Sequence, residues 1–404
     1  MKVHCIWTRA IDGVPMAGRP NVARQIRAAF RAEGFAVRES ILRPITATGR
    51  PGNPILAALR LLLSLVALRP LPLQCLLFGG RQEALRVIRE IPANCDLLYL
   101  DGVRCLRVLE QLHRLRPSLA VLTDLDDLMS RRMDLLLALG QPPSLGYLSA
   151  AVPGLFGRLL SHPILARLVL RYEATSLRRA ERQVAQLSDM VVLISSADAA
   201  VLRARAPGSD VRSISIGAAR IVNDPPALRA PWRFVFIGTD ALRQNQLTID
   251  ALIALWRRHQ IQTPLAIYGE QQRRYDLPPA VTMPGYAESL DAVYDCHSVL
   301  LTPSYVAGGI KTKVIEAFAL GTPVVGNATT FEAIEIAPDY PLLFADDESL
   351  LPLLRNPAGF AATFVQAARQ GLSLVREHHD PAKIQAAWAD AARTAAGLRA
   401  EASA

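Results

Sequence analysis

At 404 residues the chain is too long for one compact core, and two domains are expected. Hydrophobic residues make up 51% and charged residues 20%, which excludes a disordered, collagenous or coiled-coil chain. The net charge of +9 is almost all arginine: the lysines are Lys2, Lys311, Lys313 and Lys383, and two of them lie two residues apart.

Such a charge admits nucleic acid, an anionic membrane surface or a phosphorylated substrate as partner. The arginines are scattered along helical stretches, with no zinc-ligand spacing and no recognition-helix or aromatic RNA-binding signature. Nucleic acid is therefore not expected. The five cysteines form no C-x-x-C pair, the pattern of reduced thiols in a cytoplasmic chain. Residues 1–7 lack the long apolar stretch of a signal peptide and read as a first β-strand.

In chain order, Lys2–Thr8 reads as a strand, Asn21–Glu33 as an amphipathic helix and Val37–Leu42 as a strand. The apolar segment Ile55–Leu68 is too short to span a bilayer, which takes about 20 residues. A second leucine-rich region runs from Leu145 to Leu170. Both read either as core helices or as segments dipping into one leaflet, with arginines reaching phosphates. Helices are expected near Gln82–Glu90, Arg104–Leu115 and Ala166–Leu187, and strands at Asp96–Leu100, Leu119–Thr123 and Met190–Ser195. After the pause at Asn223-Asp224-Pro225-Pro226 a second series begins. Its strands are Arg233–Ile237, Pro264–Tyr268, Val281–Thr282, Ser298–Leu301 and Thr322–Val325, with helices near Gln246–Arg258, Ser289–Tyr294 and Lys313–Leu320. From about Pro357 the chain is helical. The alternation predicts an α/β fold of two doubly wound parallel sheets. The expected domains are 1–220 on the acceptor side, 221–375 for nucleotide sugar, and a C-terminal helix in 376–404 that packs back on the first. A cleft between the carboxyl ends of the two sheets is where ligands of such sheets are expected.

The stretch Thr302–Val325 is a strand end, a glycine-bearing loop, a helix start and a sharp turn into a strand. Gly308-Gly309 lets backbone approach a ligand closely, and helix N-terminal amides attract anions. Lys311 and Lys313 add charge that a helix N-terminus alone disfavours, which suggests an anion between them. Glu316, one turn in, is placed to reach a ribose diol. The competing reading has the lysines solvated and Glu316 paired with one of them at i,i+3 spacing.

Pro303-Ser304, Gly309, Ile315-Glu316-Ala317 and Gly321-Thr322-Pro323-Val324-Val325 resemble, in order and spacing, the GT-B fold glycosyltransferases of family 4 (group 1). Phe236-Ile237-Gly238-Thr239, Ile267-Tyr268-Gly269-Glu270, Val281–Tyr286 with Tyr294, and Tyr172–Ser195 extend the resemblance over roughly residues 165–330. It implies a GT-B fold with two Rossmann-like domains and a nucleotide-diphosphate sugar as donor. No bound metal or other cofactor is implied, cationic side chains and helix amides serving the leaving diphosphate. It further implies donor binding by Gly238, Thr239, Arg243, Gly285, Tyr286, Gly308, Gly309, Ile310, Lys311, Thr312, Lys313 and Glu316, with Glu316 on the ribose and Lys313 on the diphosphate. Two positions depart from the family: Gly308 stands where a second glutamate is usual, and Gln244-Asn245 follow Arg243 where a lysine is usual.

On the acceptor side, Asp124, Asp126 and Asp127 close an apolar strand and are expected to project from the carboxyl edge of the sheet, one of them as base or acceptor ligand. Gly18, Arg19 and Arg131 are expected to hold phosphate. The resulting expectation is a retaining, hexosyl-transferring enzyme of polysaccharide biosynthesis. Its acceptor is lipid-linked or a glycan, and it sits in the cytoplasm in peripheral contact with the anionic inner membrane. A nucleotide-sugar epimerase of the same fold and a non-catalytic nucleotide-sugar-binding subunit are the alternatives.

Overall fold

Continuous apolar runs become the central strands of two all-parallel sheets, as burial on both faces requires. The computed structural model describes residues 1–12, 19–44, 70–78, 80–138, 163–306 and 308–403. Segment Ile55–Leu68, residues 145–162 of the second leucine-rich region, and Gly18 lie outside the described residues. The chain divides into two units, Met1–Ser215 with Ile384–Ala404, and Ile216–Lys383. The first boundary falls a few residues before the 220/221 expected, and the expected segment 376–404 is divided between the two.

In the first unit, strands β1 (Lys2–Trp7), β2 (Ala36–Ile41), β3 (Leu97–Asp101), β4 (Ala120–Asp126), β5 (Met190–Leu193) and β6 (Val211–Ser213) lie in the order β2-β1-β3-β4-β5-β6. Every neighbouring pair is parallel. Strands β3 and β5 are wholly buried. The connecting helices are α1 (Arg19–Ala32), α2 (Leu73–Phe78), α3 (Arg81–Glu90), α4 (Leu106–Leu115), α5 (Met129–Ala138), α6 (Pro163–Leu187) and α7 (Ser196–Arg205). Val22, Ala23, Ile26, Ala29 and Phe30 of α1 form the buried stripe that the helical period predicts. Helix α5 and β6 were not evident beforehand. β6 has three residues, too few for a period, and the N-terminus of α5 is fixed by a distant carboxylate, Glu181, which accepts from Ser130 N at 2.8 Å and Ser130 Oγ at 2.5 Å.

In the second unit, β7 (Arg233–Ile237), β8 (Leu265–Tyr268), β9 (Val281–Gly285), β10 (Ser298–Leu301) and β11 (Val324–Val325) lie in the order β11-β10-β7-β8-β9, again all parallel. Its helices are α8 (Arg243–His259), α9 (Leu290–Val293), α10 (Thr312–Ala319), α11 (Ala328–Phe331), α12 (Asp347–Arg355) and α13 (Ala361–His378). Phe318 of α10 stacks on Phe331 and meets Tyr340 edge-on. Helix α13 closes on that ring through Gly371, where a Cβ would stand 2.1 Å from Phe318. The last helix, α14 (Pro381–Ser403), buries Trp388, Ala391, Ala392 and Ala395. Trp388 meets Tyr99 of β3 at 6.1 Å, so residues from Ile384 onward complete the first unit's core.

Each sheet has one point where the order reverses: between β1 and β3 in the first, and between β7 and β10 in the second. Crevices at the carboxyl ends of strands at such points are where open α/β sheets bind ligands.

Candidate active site

The second unit's reversal point gathers most of the expected donor residues. Strand β7 ends at Ile237 and leads through Gly238-Thr239 to α8. Strand β10 leads through the glycine loop to α10. Neither α8 nor α10 has an acid in its first turn or a side-chain cap, so the positive ends of two helix dipoles flank the same point. Asn245 ties the two sides together. Its Nδ2 donates to Thr239 O at 2.9 Å, and its Oδ1 accepts from Lys313 Nζ at 3.3 Å. Asn245 packs directly on Gly238, where any Cβ would meet its side chain at 2.8 Å. The Lys313 ammonium also lies 4.1 Å from the centre of the Phe236 ring, a cation–π contact.

The charge balance of this corner is unusual. Burial, reinforced by Lys311 and opposed by Glu316, brings Lys313 down to about 7. Burial raises Glu316 to about 7, with Lys313 opposing. The site thus holds an ammonium that a dianion would stabilise.

Lys311 takes a different part. Its Nζ turns back to Gly308 O at 3.0 Å and Gly309 O at 3.3 Å. Both glycines have positive φ, 98° and 67°, which lets the loop curl around that ammonium. Gly308 N donates to Glu332 Oε2 at 3.0 Å. Glu332 and Asn327 were not expected in this region. Asn327 accepts from Ser304 N at 3.2 Å and donates to Ser304 O at 3.0 Å, fixing the end of β10. Ile310 is half-buried in the loop, and Thr312 opens α10.

The remaining donor candidates lie along the same edge. Arg243 is the first residue of α8 and bonds Gln246 Oε1 at 3.0 Å. Thr239 Oγ1 accepts from Ala241 N at 3.2 Å. Gly285 O accepts from Gly269 N at 2.8 Å, joining the ends of β8 and β9. Tyr286, just beyond, is 73% exposed, an aromatic face open to stacking. Tyr294, at the end of α9, is buried, and its hydroxyl bonds Lys313 O at 3.4 Å. Asp240 was missed altogether. It is wholly buried and accepts from Gln272 N, Arg273 N and Tyr275 Oη, holding the turn after β8 against the end of β7. An aspartate one residue past a glycine turn was the available signal.

The first unit's reversal point differs from expectation. Asp124 does not project into open space. It is fully buried, with its Oδ2 accepting from Arg19 Nη2 at 2.6 Å and Tyr99 Oη at 2.8 Å. Arg19 is itself enclosed, bonding Asp101 through Nε at 3.1 Å and Nη2 at 2.8 Å. Asp101 also accepts from Thr8 N and Thr8 Oγ1. Burial pushes Asp101 up, but Arg19, Arg9 and the Thr8 amide outweigh it and hold its carboxyl at about 2. Asp124 and Asp126 are both raised by burial, with Arg19 opposing. Arg19, expected to hold phosphate, has its charge met by carboxylates in this structure. The same holds for Arg131, which pairs with Asp198 at 2.9 Å, while Arg132 pairs with Asp127. Ser130 is engaged by Glu181. Only Asp126 of the three carboxylates stays substantially open, its side chain 35% exposed.

Among the described residues no group of His, Cys, Asp or Glu is arranged to hold a metal, and no helix is long and apolar enough to cross a membrane.

Residues 227–370 match the model of a family described as Glycosyl transferases group 1. No curated protein matches the chain. Among solved structures, a sucrose-phosphate synthase from Thermosynechococcus elongatus is similar over 97% of this chain and 98% of its own, with 17% identity and a TM-score of 0.66. HepE from Anabaena, solved in complex with UDP-glucose, is similar over 96% and 98%, with 14% identity and a TM-score of 0.59. WaaG, a glycosyltransferase involved in lipopolysaccharide biosynthesis, is similar over 95% and 98%, with 14% identity and a TM-score of 0.54. Two parallel-sheet units in these strand orders are the GT-B fold, which the chain shares with these solved structures. The match to the Glycosyl transferases group 1 model lies within the chain's second unit.

Proposed function

We propose that the protein transfers a sugar from a nucleotide-diphosphate sugar to a lipid-linked or polysaccharide acceptor at the inner face of a membrane. The observation that carries the reading is the Lys313–Asn245–Gly238 corner. A half-neutralised ammonium and two helix N-termini meet there at the reversal point of the second sheet, with Glu316 one turn away. A diphosphate supplies the charge this corner lacks, and a ribose diol suits the Glu316 carboxylate. HepE, of similar fold, binds UDP-glucose. In this reading Tyr286 stacks on the base, and Arg243, Lys313 and the helix amides stabilise the leaving diphosphate, so the reaction calls for no bound metal. The family 4 resemblance brings retention of configuration with it, and the arginine-rich charge supports the membrane.

The test is a panel of UDP-, GDP- and dTDP-sugars, offered to purified protein with and without membranes. Consumption that requires membranes supports transfer. Conversion of donor alone indicates epimerisation instead. Binding with no turnover under either condition overturns the catalytic claim. The anomeric configuration of the product, read by NMR, decides retention, and sedimentation with anionic against neutral vesicles decides membrane contact.

A further inference from the structure

Side chains from other elements grip the backbone between β10 and α10 along its length. Thr330 Oγ1 donates to Thr302 O at 2.7 Å, Thr248 Oγ1 of α8 donates to Pro303 O at 2.9 Å, and Asn327 bonds both Ser304 N and Ser304 O. At the glycine turn, Gly308 N donates to Glu332 Oε2 at 3.0 Å. Three of these side chains belong to one short element. Asn327 caps α11, Thr330 completes its capping box, and the half-buried Glu332 follows its last residue. Phe331 of the same turn stacks on Phe318 of α10. Helix α11 therefore holds the strand end, the glycine turn and the helix that carries Lys313 in one arrangement.

The glycine turn is where such a hold matters most. Gly308 and Gly309 both take positive φ, and glycine has more backbone freedom to lose than any other residue. A turn of this kind left unpinned is ordered only by its ligand, and the ordering is subtracted from the ligand's affinity. Here Glu332 on the amide side and Lys311 on the carbonyl side fix the turn from within the protein. We propose that Glu332 is a positioning residue for the nucleotide-sugar donor. By accepting from Gly308 N it sets the turn that aims the start of α10 and Lys313 at the diphosphate. It acts through that amide as a hydrogen-bond acceptor and does not touch the donor. The inference rests on the donor site proposed above.

Glu332→Ala and Glu332→Gln are compared with wild type by calorimetry with UDP, GDP and dTDP, and by hydrogen exchange around Gly308 and Gly309 in the empty protein. Glu332→Ala should weaken the best-bound diphosphate about ten-fold, the scale of one hydrogen bond to a charged group, and should speed exchange at the turn. Glu332→Gln keeps an acceptor oxygen of the same reach and should stay within about three-fold of wild type in affinity. Tm should fall by about 2–4 °C at most, because the bonds of Asn327 and Thr330 remain. Unchanged affinity in Glu332→Ala overturns the proposal, whatever the exchange shows. So does a Glu332→Gln variant as weak as Glu332→Ala, since the carboxylate would then act on the donor by its charge. Both of those outcomes leave the donor reading intact. Failure of wild type to bind any of the three diphosphates overturns the donor reading, and this inference with it.

Discussion

Donor affinity should depend on pH through two side chains, and the sign follows from their placement. Lys313 is pressed between Phe236 and Asn245 beside Lys311, and its ammonium comes down to about 7. Glu316 rises to about 7 by burial. A diphosphate requires Lys313 charged, and a diol is held best by a charged Glu316. Above pH 7 the empty site must therefore take up a proton at Lys313, and below pH 7 Glu316 must release one. Affinity should peak near pH 7, fall about three-fold by pH 6 and by pH 8, and fall about twenty-five-fold by pH 9. The nucleotide sugar that binds best from the panel serves as ligand, titrated calorimetrically in buffers of different ionisation enthalpy, so that proton uptake is read directly. Lys313→Arg, charged throughout, should bind and lose the alkaline fall; Glu316→Gln should lose the acid one. Folding of the empty protein carries its own sign. The folded chain binds fewer protons at Lys313 than the unfolded chain between about 7 and the ordinary 10.5, so this residue makes stability rise with pH across that window. A flat wild-type affinity from pH 6 to pH 9, or an alkaline fall that persists in Lys313→Arg, would refute the reasoning.

Other expectations are more local. Gly238→Ala puts a methyl group where Asn245 stands and frees both Thr239 O and Lys313 Nζ; calorimetry should show donor binding weakened about ten-fold or more, with Tm lowered only slightly. Gly371→Ala drives a Cβ into the Phe318 ring, and denaturant unfolding should show a loss of about 1–3 kcal/mol from overpacking. Arg19→Met leaves Asp101, Asp124 and Asp126 without their shared cation, at a cost of about 3–5 kcal/mol by the same measurement. Because Asp124 and Asp126 are raised by burial even with Arg19 present, that variant should regain stability as the pH falls and they protonate, the opposite of ordinary acid denaturation.

The two-sheet fold was legible because its strands are apolar on both faces. Leu97–Asp101 and Ser298–Leu301 have no polar alternation to confuse them, and the breaks at Gly34 and Pro225-Pro226 delimit the segments. The donor corner was legible for a different reason: lysines are rare here, so Lys311 and Lys313 stood out against an arginine background. What could not be read was which of the two faces the ligand region. Spacing makes them near neighbours, but only the loop's positive φ angles turn Lys311 onto the carbonyls of Gly308 and Gly309 while Lys313 meets Asn245 across the strand order. The acceptor edge was misjudged on similar grounds. Three aspartates in four residues look solvent-facing, yet Asp124 pairs with an arginine 105 positions away in the chain. Such partners follow from topology, which sequence spacing does not contain.

The most direct test of the central claim is transfer of labelled sugar from each nucleotide sugar of the panel into membranes, by wild type, Glu316→Ala and Lys313→Ala in parallel. The account predicts that one donor labels a membrane product with release of nucleoside diphosphate. Each substitution should lower that transfer about ten-fold or more, the loss expected when one charge-assisted contact to the donor is removed. Transfer by both variants at the wild-type rate, or no labelled product from any donor, would contradict it.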